Sequence, residues 1–393
     1  MGREMTYCLR QRLLRWDWDI KRSVLSTRGW AAQERMLAPR ILHFTKRQLI
    51  WECLEGFKFE ASGIQEKKIG RGQTDLDFNK SKLQPYITRA FDPPINLGIN
   101  EAKPKDILKR VRVWQQCVDE YSKRHLTIPS DKFPAISGIA AIINHDGKMG
   151  QYLAGLWSNH VAAGLAWGRQ NNILAHPPSY RAPSWSWASV DGWTSSLILS
   201  SRSQLLETPN NDTGKLWADK FDIALVDHNI NMHDKSNPYG IVLEGSYITI
   251  EGTYVTRDEF LHLAEDLSKI EFDGPTIGLD RSDVFTCPCC KPSGPDDAEA
   301  FSDEENLDLL ERLRESSKGD AHFDLCLFLF ADVWHNTKGF VDLLHLRWTD
   351  ENKGVAVRVG MSRTTIWEHQ GSRESFCETF LAADWKRRAV KLV

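Results

Sequence analysis

Long hydrophobic runs are missing from this chain. The longest, Leu325–Ala331, falls far short of the roughly 20 apolar residues that a membrane-spanning helix needs. The opening residues run through Met1-Gly2-Arg3-Glu4 into charges and tryptophans, with none of the apolar core of a secretory signal. An excess of either charge is missing as well. Lys and Arg number 50 against 53 Asp and Glu, for a formal net charge of -3. Such a chain has no global field to gather nucleic acid or an anionic membrane. The short basic clusters Arg10–Arg15 and Lys386–Arg388 read as solvated surface. These absences predict a cytosolic or nuclear protein, read here as cytoplasmic, that binds neither nucleic acid nor membrane.

Cysteine is sparse, with 8 in 393 residues. Scattered through a long chain without a signal, these thiols are expected to be reduced. Cys287-Pro288-Cys289-Cys290 invites a zinc reading, but zinc needs four ligands, usually as two spaced pairs. No second pair follows and the next histidine is His322, so no metal is predicted. Catalytic signatures are also lacking. There is no Gly-x-Ser-x-Gly elbow. Gly70-Arg71-Gly72 lacks the Lys-Ser/Thr of a phosphate loop. The residues name no catalytic group and imply no cofactor.

What is plentiful is tryptophan, at 15 residues. Many stand beside polar residues, as in Trp16-Asp17-Trp18-Asp19 and Trp185-Ser186-Trp187. Rings in that setting build either an amphipathic core or a stacking surface for a ligand.

Periodicity divides the chain into an α+β arrangement. In residues 1–60, Ala31–Leu37 reads as a short helix stopped by Pro39. Ile41–Thr45 and Gln48–Cys53 follow as a hairpin around Lys46 and Arg47. Residues 61–103 are polar and punctuated by Gly and Pro, and read as a linker. Residues 104–180 read as helical. Ile107, Leu108, Val111, Trp114, Val118 and Tyr121 lie on one helix face. A second helix carries Phe133, Ile136, Ile139, Ala140 and Ile143, with Ser130 and Asp131 placed to cap it. A third is expected from about Tyr152 to Trp167. From 181 to 393 the period becomes two and the sequence reads as β-rich, a barrel or twisted sheet, with an insertion at 283–320. Its strands are expected at Ser184–Val190, Phe221–Val226, Gly240–Ile250, Gly252–Val255, Asp324–Val333, Gly339–Trp348 and Val355–Gly360.

Four blocks carry a resemblance. Thr27-Arg28-Gly29-Trp30-Ala31-Ala32-Gln33-Glu34-Arg35-Met36-Leu37-Ala38-Pro39, with Trp51-Glu52-Cys53 beyond it, resembles the closing block of the fungal heterokaryon-incompatibility (HET) domain. Pro183-Ser184-Trp185-Ser186-Trp187-Ala188-Ser189 is similar to a block of that family's C-terminal extension. Asp131–Ala140 and Tyr152–Trp157 match two runs between them. The order and spacing of the four make the match specific. Ala31-Ala32 departs from a usual Thr-Leu pair. The domain's earlier blocks are absent, so the resemblance implies a truncated α/β HET remnant at residues 1–60. It also implies a role in self/non-self recognition and programmed cell death in a fungus, exerted through protein partners. An alternative follows from the domain's distant likeness to Toll/interleukin-1 receptor-type domains: an NAD- or nucleotide-processing enzyme whose catalytic half lies upstream. A third possibility is a ligand-binding β-domain built on the tryptophans.

Within these blocks the residues leave alternatives open. Glu34 is either a ligand-binding or catalytic carboxylate, or the partner of Arg28 in an ion pair tying the helix to the hairpin. Trp30 is expected in the core. Trp185 and Trp187, two apart on an expected strand, share a face and either fill a core or stack a sugar or base, with the serines outward or bonded locally.

Overall fold

A computed structural model of the chain describes residues 20–54, 56–60, 83, 85–87, 104–169, 177–196, 223–259, 324–334, 338–367 and 386–393. The fold mixes helices and sheets. Helix α1, Gly29–Leu37, contains the strong helix formers Ala31, Ala32, Gln33, Arg35 and Leu37. It buries Gly29, Ala32 and Met36, spaced three and four apart on one face. Its last turn closes with Ala38 N–H donating to Glu34 O (3.2 Å), and Pro39 prevents continuation. Three antiparallel strands follow: β1 (Arg40–Phe44), β2 (Leu49–Cys53) and β3 (Gly56–Phe59).

Helix α2, Pro104–Ser122, buries Val111, Trp114, Cys117, Val118 and Tyr121. Helix α3, Pro134–Ile143, buries Ala135, Ile136, Ile139, Ala140 and Ile143 and packs on α1. A tight hairpin comes next, β4 (Tyr152–Leu153) and β5 (Leu156–Trp157), then the short helix α4 (Val161–Leu165). Strands β6 (Trp167–Arg169) and β7 (Thr194–Ser196) pair with each other.

The remaining strands are β8 (Ala224–Asn229), β9 (Tyr247–Thr256), β10 (Leu325–Trp334), β11 (Lys338–Asp350), β12 (Val355–Trp367) and β13 (Arg387–Leu392). Their order is β10-β11-β12-β13-β9-β8, and β10 also pairs with β9. Five strands therefore close on themselves and β8 hangs on β9. The sheet is mixed, because β12 and β13 run parallel. Leu343, Leu344, His345 and Leu346 are all buried in succession, as a strand covered on both faces requires. Burial and the Arg358 cation hold the His345 imidazole down to about 3, so it is neutral. One apolar core runs from Ala32 and Met36 through α2 and α3 to Ile248, Leu344, Val390 and Leu392.

Several sequence expectations are corrected here. The third helix does not form: Tyr152–Trp157 is the β4-β5 hairpin, and helix is limited to Val161–Leu165. Its apolar residues match a helical period, but Ala154 and Gly155 both take positive φ (45° and 98°), which turns the chain instead. Ser184–Val190 is not a strand. It is a turn followed by a 3-10 helix at Trp187–Ser189. Ser130 and Asp131 do not cap α3; they lie in a 3-10 helix, Pro129–Lys132, and the N-cap is Phe133. Gly240–Ile250 and Gly252–Val255 are not separate strands but lead into the single strand Tyr247–Thr256. The hairpin at 41–53 forms as expected, with β3 added. The Cys287–Cys290 cluster, the 283–320 insertion, Gly70–Gly72 and Arg10–Arg15 lie outside the described residues.

Candidate functional site

Around α1 the first polar cluster ties helix to hairpin. The Glu52 carboxylate is 1% exposed. Arg35 Nε donates to its Oε2 (3.0 Å) and Nη2 to its Oε1 (3.1 Å). His43 Nε2 stands 2.7 Å from the same Oε2. A forked guanidinium matches a carboxylate in this way. Both oxygens are thus engaged, and the cluster holds structure rather than offering a free base. The ion pair expected between Arg28 and Glu34 is replaced by Arg35–Glu52: Glu34 and Arg28 are both exposed. The helix turns Arg35, one residue on, toward the sheet.

The same helix meets the Asp131–Ala140 block. Gln33 Oε1 accepts from Gly138 N–H (2.7 Å), pinning α1 to α3. Gly29 sits where a Cβ would fall 2.4 Å from Leu126 Cδ2, and its N–H donates to His125 O (2.8 Å). Trp30 is not a core residue. It is 39% exposed and donates Nε1–H to Asp131 Oδ2 (2.9 Å). Trp30→Ala is therefore expected to cost about 1 kcal/mol, the worth of one hydrogen bond, rather than the ~3–5 kcal/mol of a core aromatic. Urea unfolding measures it, and a loss in the core range would place Trp30 back in the interior.

The other two blocks meet each other. In the β4-β5 hairpin, Ala154 and Gly155 form a two-residue turn with both φ positive, the geometry that suits a twisted hairpin. A non-glycine residue there is strained by about 1–2 kcal/mol. The turn's carbonyls are captured from across the core. Ser186 Oγ donates to Ala154 O (2.7 Å), while Trp187 Nε1 (3.3 Å) and Trp114 Nε1 (3.0 Å) donate to Gly155 O. A Cβ on Gly155 would lie 2.4 Å from Trp187 Nε1. Trp187 meets Tyr121 and Phe133 edge-on, each at 5.9 Å. Trp185 is 0% exposed and its carbonyl accepts from Trp167 Nε1 (3.1 Å). These tryptophans fill the core. The serines turn inward: Ser186 also caps the 3-10 helix at Ala188 N (3.1 Å). Ser184 Oγ accepts from Arg358 N–H (3.1 Å) and donates to Val393 O. Pro183 is buried ahead of them.

One buried group is uncomfortable. Lys132 is 3% exposed, its ammonium 5.8 Å from the Tyr121 ring centre and 6.0 Å from that of Trp187. Burial first, and the Arg181 cation second, depress its amine from 10.5 to about 8, with Asp191 opposing. Arg181 is itself satisfied by Ala188 O, Val190 O and Asp191. The unfolded chain holds the Lys132 proton more tightly, so stability is lowest below about pH 8 and rises as pH climbs from there to 10.5. Lys132→Met is expected to stabilise the chain by about 1–3 kcal/mol at neutral pH. Its advantage over wild type should fade toward pH 10.5; chemical denaturation across that window measures the gap, and a constant difference would remove the cause.

The structure thus brings Trp30, Gln33, Arg35 and Glu52 of the predicted set into specific contacts, and Ser184, Trp185, Ser186 and Trp187 into others. Glu34 and Pro39 stay at the surface, while Trp51 and the free thiol Cys53 are half-buried in β2. Sequence reasoning missed His43 and Lys132. His43 was within reach, because a hairpin turning at Lys46-Arg47 pairs Ile41 with Glu52 and sets His43 diagonally beside it. Lys132 had no signal, since its burial comes from packing alone.

Among the described residues no group of three or more His, Cys, Asp or Glu side chains is arranged to hold a metal, and no helix is long and apolar enough to cross a membrane. Comparison with protein-family models, with curated proteins and with solved structures finds no match to this chain.

Proposed function

We propose that this chain is a HET-type protein that signals self/non-self recognition and programmed cell death in the fungal cytoplasm, acting through contacts with other proteins. The observation that supports the reading is how the four resembling blocks lie. The helix block bonds the Asp131–Ala140 block through Gln33–Gly138 and Trp30–Asp131. The Tyr152–Trp157 block bonds the Pro-Ser-Trp-Ser-Trp block through Ala154–Ser186 and Gly155–Trp187. Phe133 joins the two halves by packing on both Tyr152 and Trp187. Blocks far apart in sequence that complete one another's hydrogen bonds form a unit, which is what a shared family module requires.

Induced expression of the full chain in a filamentous fungus tests it. Growth arrest with cellular NAD unchanged is the expected result. Normal growth at full soluble expression would overturn the reading, and arrest with collapse of NAD would replace it by the NAD-processing alternative.

A further inference from the structure

The hairpin sheet has two unlike faces, and its register fixes which residues lie on each. Ile41, His43, Ile50, Glu52, Phe57 and Phe59 share the inner face, where Ile50 and Phe57 pack with Ile20. Alternation puts Arg40, Leu42 and Phe44 of β1, Leu49 and Trp51 of β2, and Lys58 of β3 on the opposite face. There Leu42 pairs with Trp51 and Phe44 with Leu49, so the apolar side chains form one continuous strip. Three of them are open to solvent, Phe44 at 80% exposed, Leu42 at 44% and Leu49 at 36%, while Trp51 is half-buried. Beside the strip, β1 is an edge strand among the described residues, with a row of backbone groups facing outward.

The rim of this strip is basic. Arg40 stands at one end of it and Lys46 at the turn beyond Phe44, both exposed. Glu52, the carboxylate on these strands, points to the inner face and is spent on Arg35 and His43. Glu60, just past β3, accepts from Leu49 N–H (3.0 Å). An apolar strip with positive flanks complements a segment that alternates large apolar with acidic side chains. Like charges would be repelled from it.

The geometry points to this face as the docking surface for a partner protein's acidic, apolar-alternating segment, laid along β1 in extended form. The inference rests on the protein-contact reading above and names the surface that would carry it.

The test uses the full chain and two short synthetic peptides alternating Phe and Leu, one with Glu and one with Lys. The Glu peptide is expected to bind at least about tenfold more tightly than the Lys peptide by fluorescence anisotropy. Raised salt, which screens exposed charges, should narrow the gap. A variant carrying Leu42→Ser and Phe44→Ser should keep its circular dichroism, because both side chains are exposed, and lose most of the binding. Arg40→Glu with Lys46→Glu should reverse the peptide preference. Equal binding of both peptides, or binding indifferent to these variants, overturns the proposal. Concentration-dependent dimerisation that the Ser variant abolishes also overturns it, by assigning the face to a second copy of the chain. Peptide binding without growth arrest on expression would leave this surface standing and remove the cell-death reading instead.

Discussion

Replacing Trp187 by alanine is expected to lower the chain's stability by about 3–5 kcal/mol, as for a large buried aromatic. The ring is 3% exposed and edge-packed between Tyr121 and Phe133. Its loss opens a cavity between Tyr121 of α2 and Phe133 at the start of α3. The indole also donates to Gly155 O, in a turn already strained at Ala154. Removing that donor leaves the carbonyl to Trp114 Nε1, its second donor. Trp187→Phe separates the two effects. It keeps most of the ring and drops the N–H, and should cost about 1–2 kcal/mol. Urea unfolding of the three proteins gives both numbers. A loss under ~1 kcal/mol for the alanine variant, within the range of ordinary surface changes and weak contacts, would show that the four blocks do not depend on this ring.

Glu52→Ala is the second large effect, and its cause is electrostatic rather than a cavity. Breaking a buried ion pair from one side usually costs about 3–5 kcal/mol, because the surviving charge is stranded. Here the Arg35 side chain is 20% exposed and His43 18%, so Arg35 regains part of its hydration. The loss should fall toward the low end of that range. Leu at both positions should recover much of it, since a matched apolar pair leaves no orphan charge. Thermal unfolding of the single and double variants decides. A double variant as unstable as Glu52→Ala would mean that the carboxylate's other contact, with His43, dominates. Hydrogen exchange at β1 and β2 amides should quicken first in Glu52→Ala, as the pair holds the hairpin to α1.

Much of the local structure is legible in the residues. Ala31–Leu37 had the propensity, the spacing and the Pro39 stop, and α1 forms there. Val111, Trp114, Val118 and Tyr121 showed the face that α2 buries. The closed sheet's later strands lie close to where alternation placed them. The errors share one origin. At Tyr152–Trp157 and Ser184–Val190 the local period favoured helix and strand, but distant groups reward a turn in each. Ser186, Trp187 and Trp114 satisfy the hairpin's carbonyls, and Arg181 braces the 3-10 segment at Ala188 and Val190. No window of neighbouring residues contains those donors.

The candidate site divides in the same way. Which residue types would matter was readable from the blocks around Arg35, Glu52 and Trp187. Which of them would touch was not. Glu34 and Arg35 are adjacent on a helix, and only the position of β2 decides that Arg35 takes the buried carboxylate while Glu34 faces water. Trp30 and Trp187 are equally aromatic in sequence, and only the packing of α2 and α3 makes one a surface donor and the other a core ring.

Helix α1 and its stop, the hairpin with its turn at Lys46-Arg47, and a chain without a membrane-length apolar run were all legible in the residues. Those follow from propensity, alternation and turn position, which act between near neighbours. The tertiary structure alone decided the two turns, the Arg35–Glu52–His43 cluster and the burial of Lys132. Each is set by hydrogen bonds and desolvation between segments that the chain brings together only on folding.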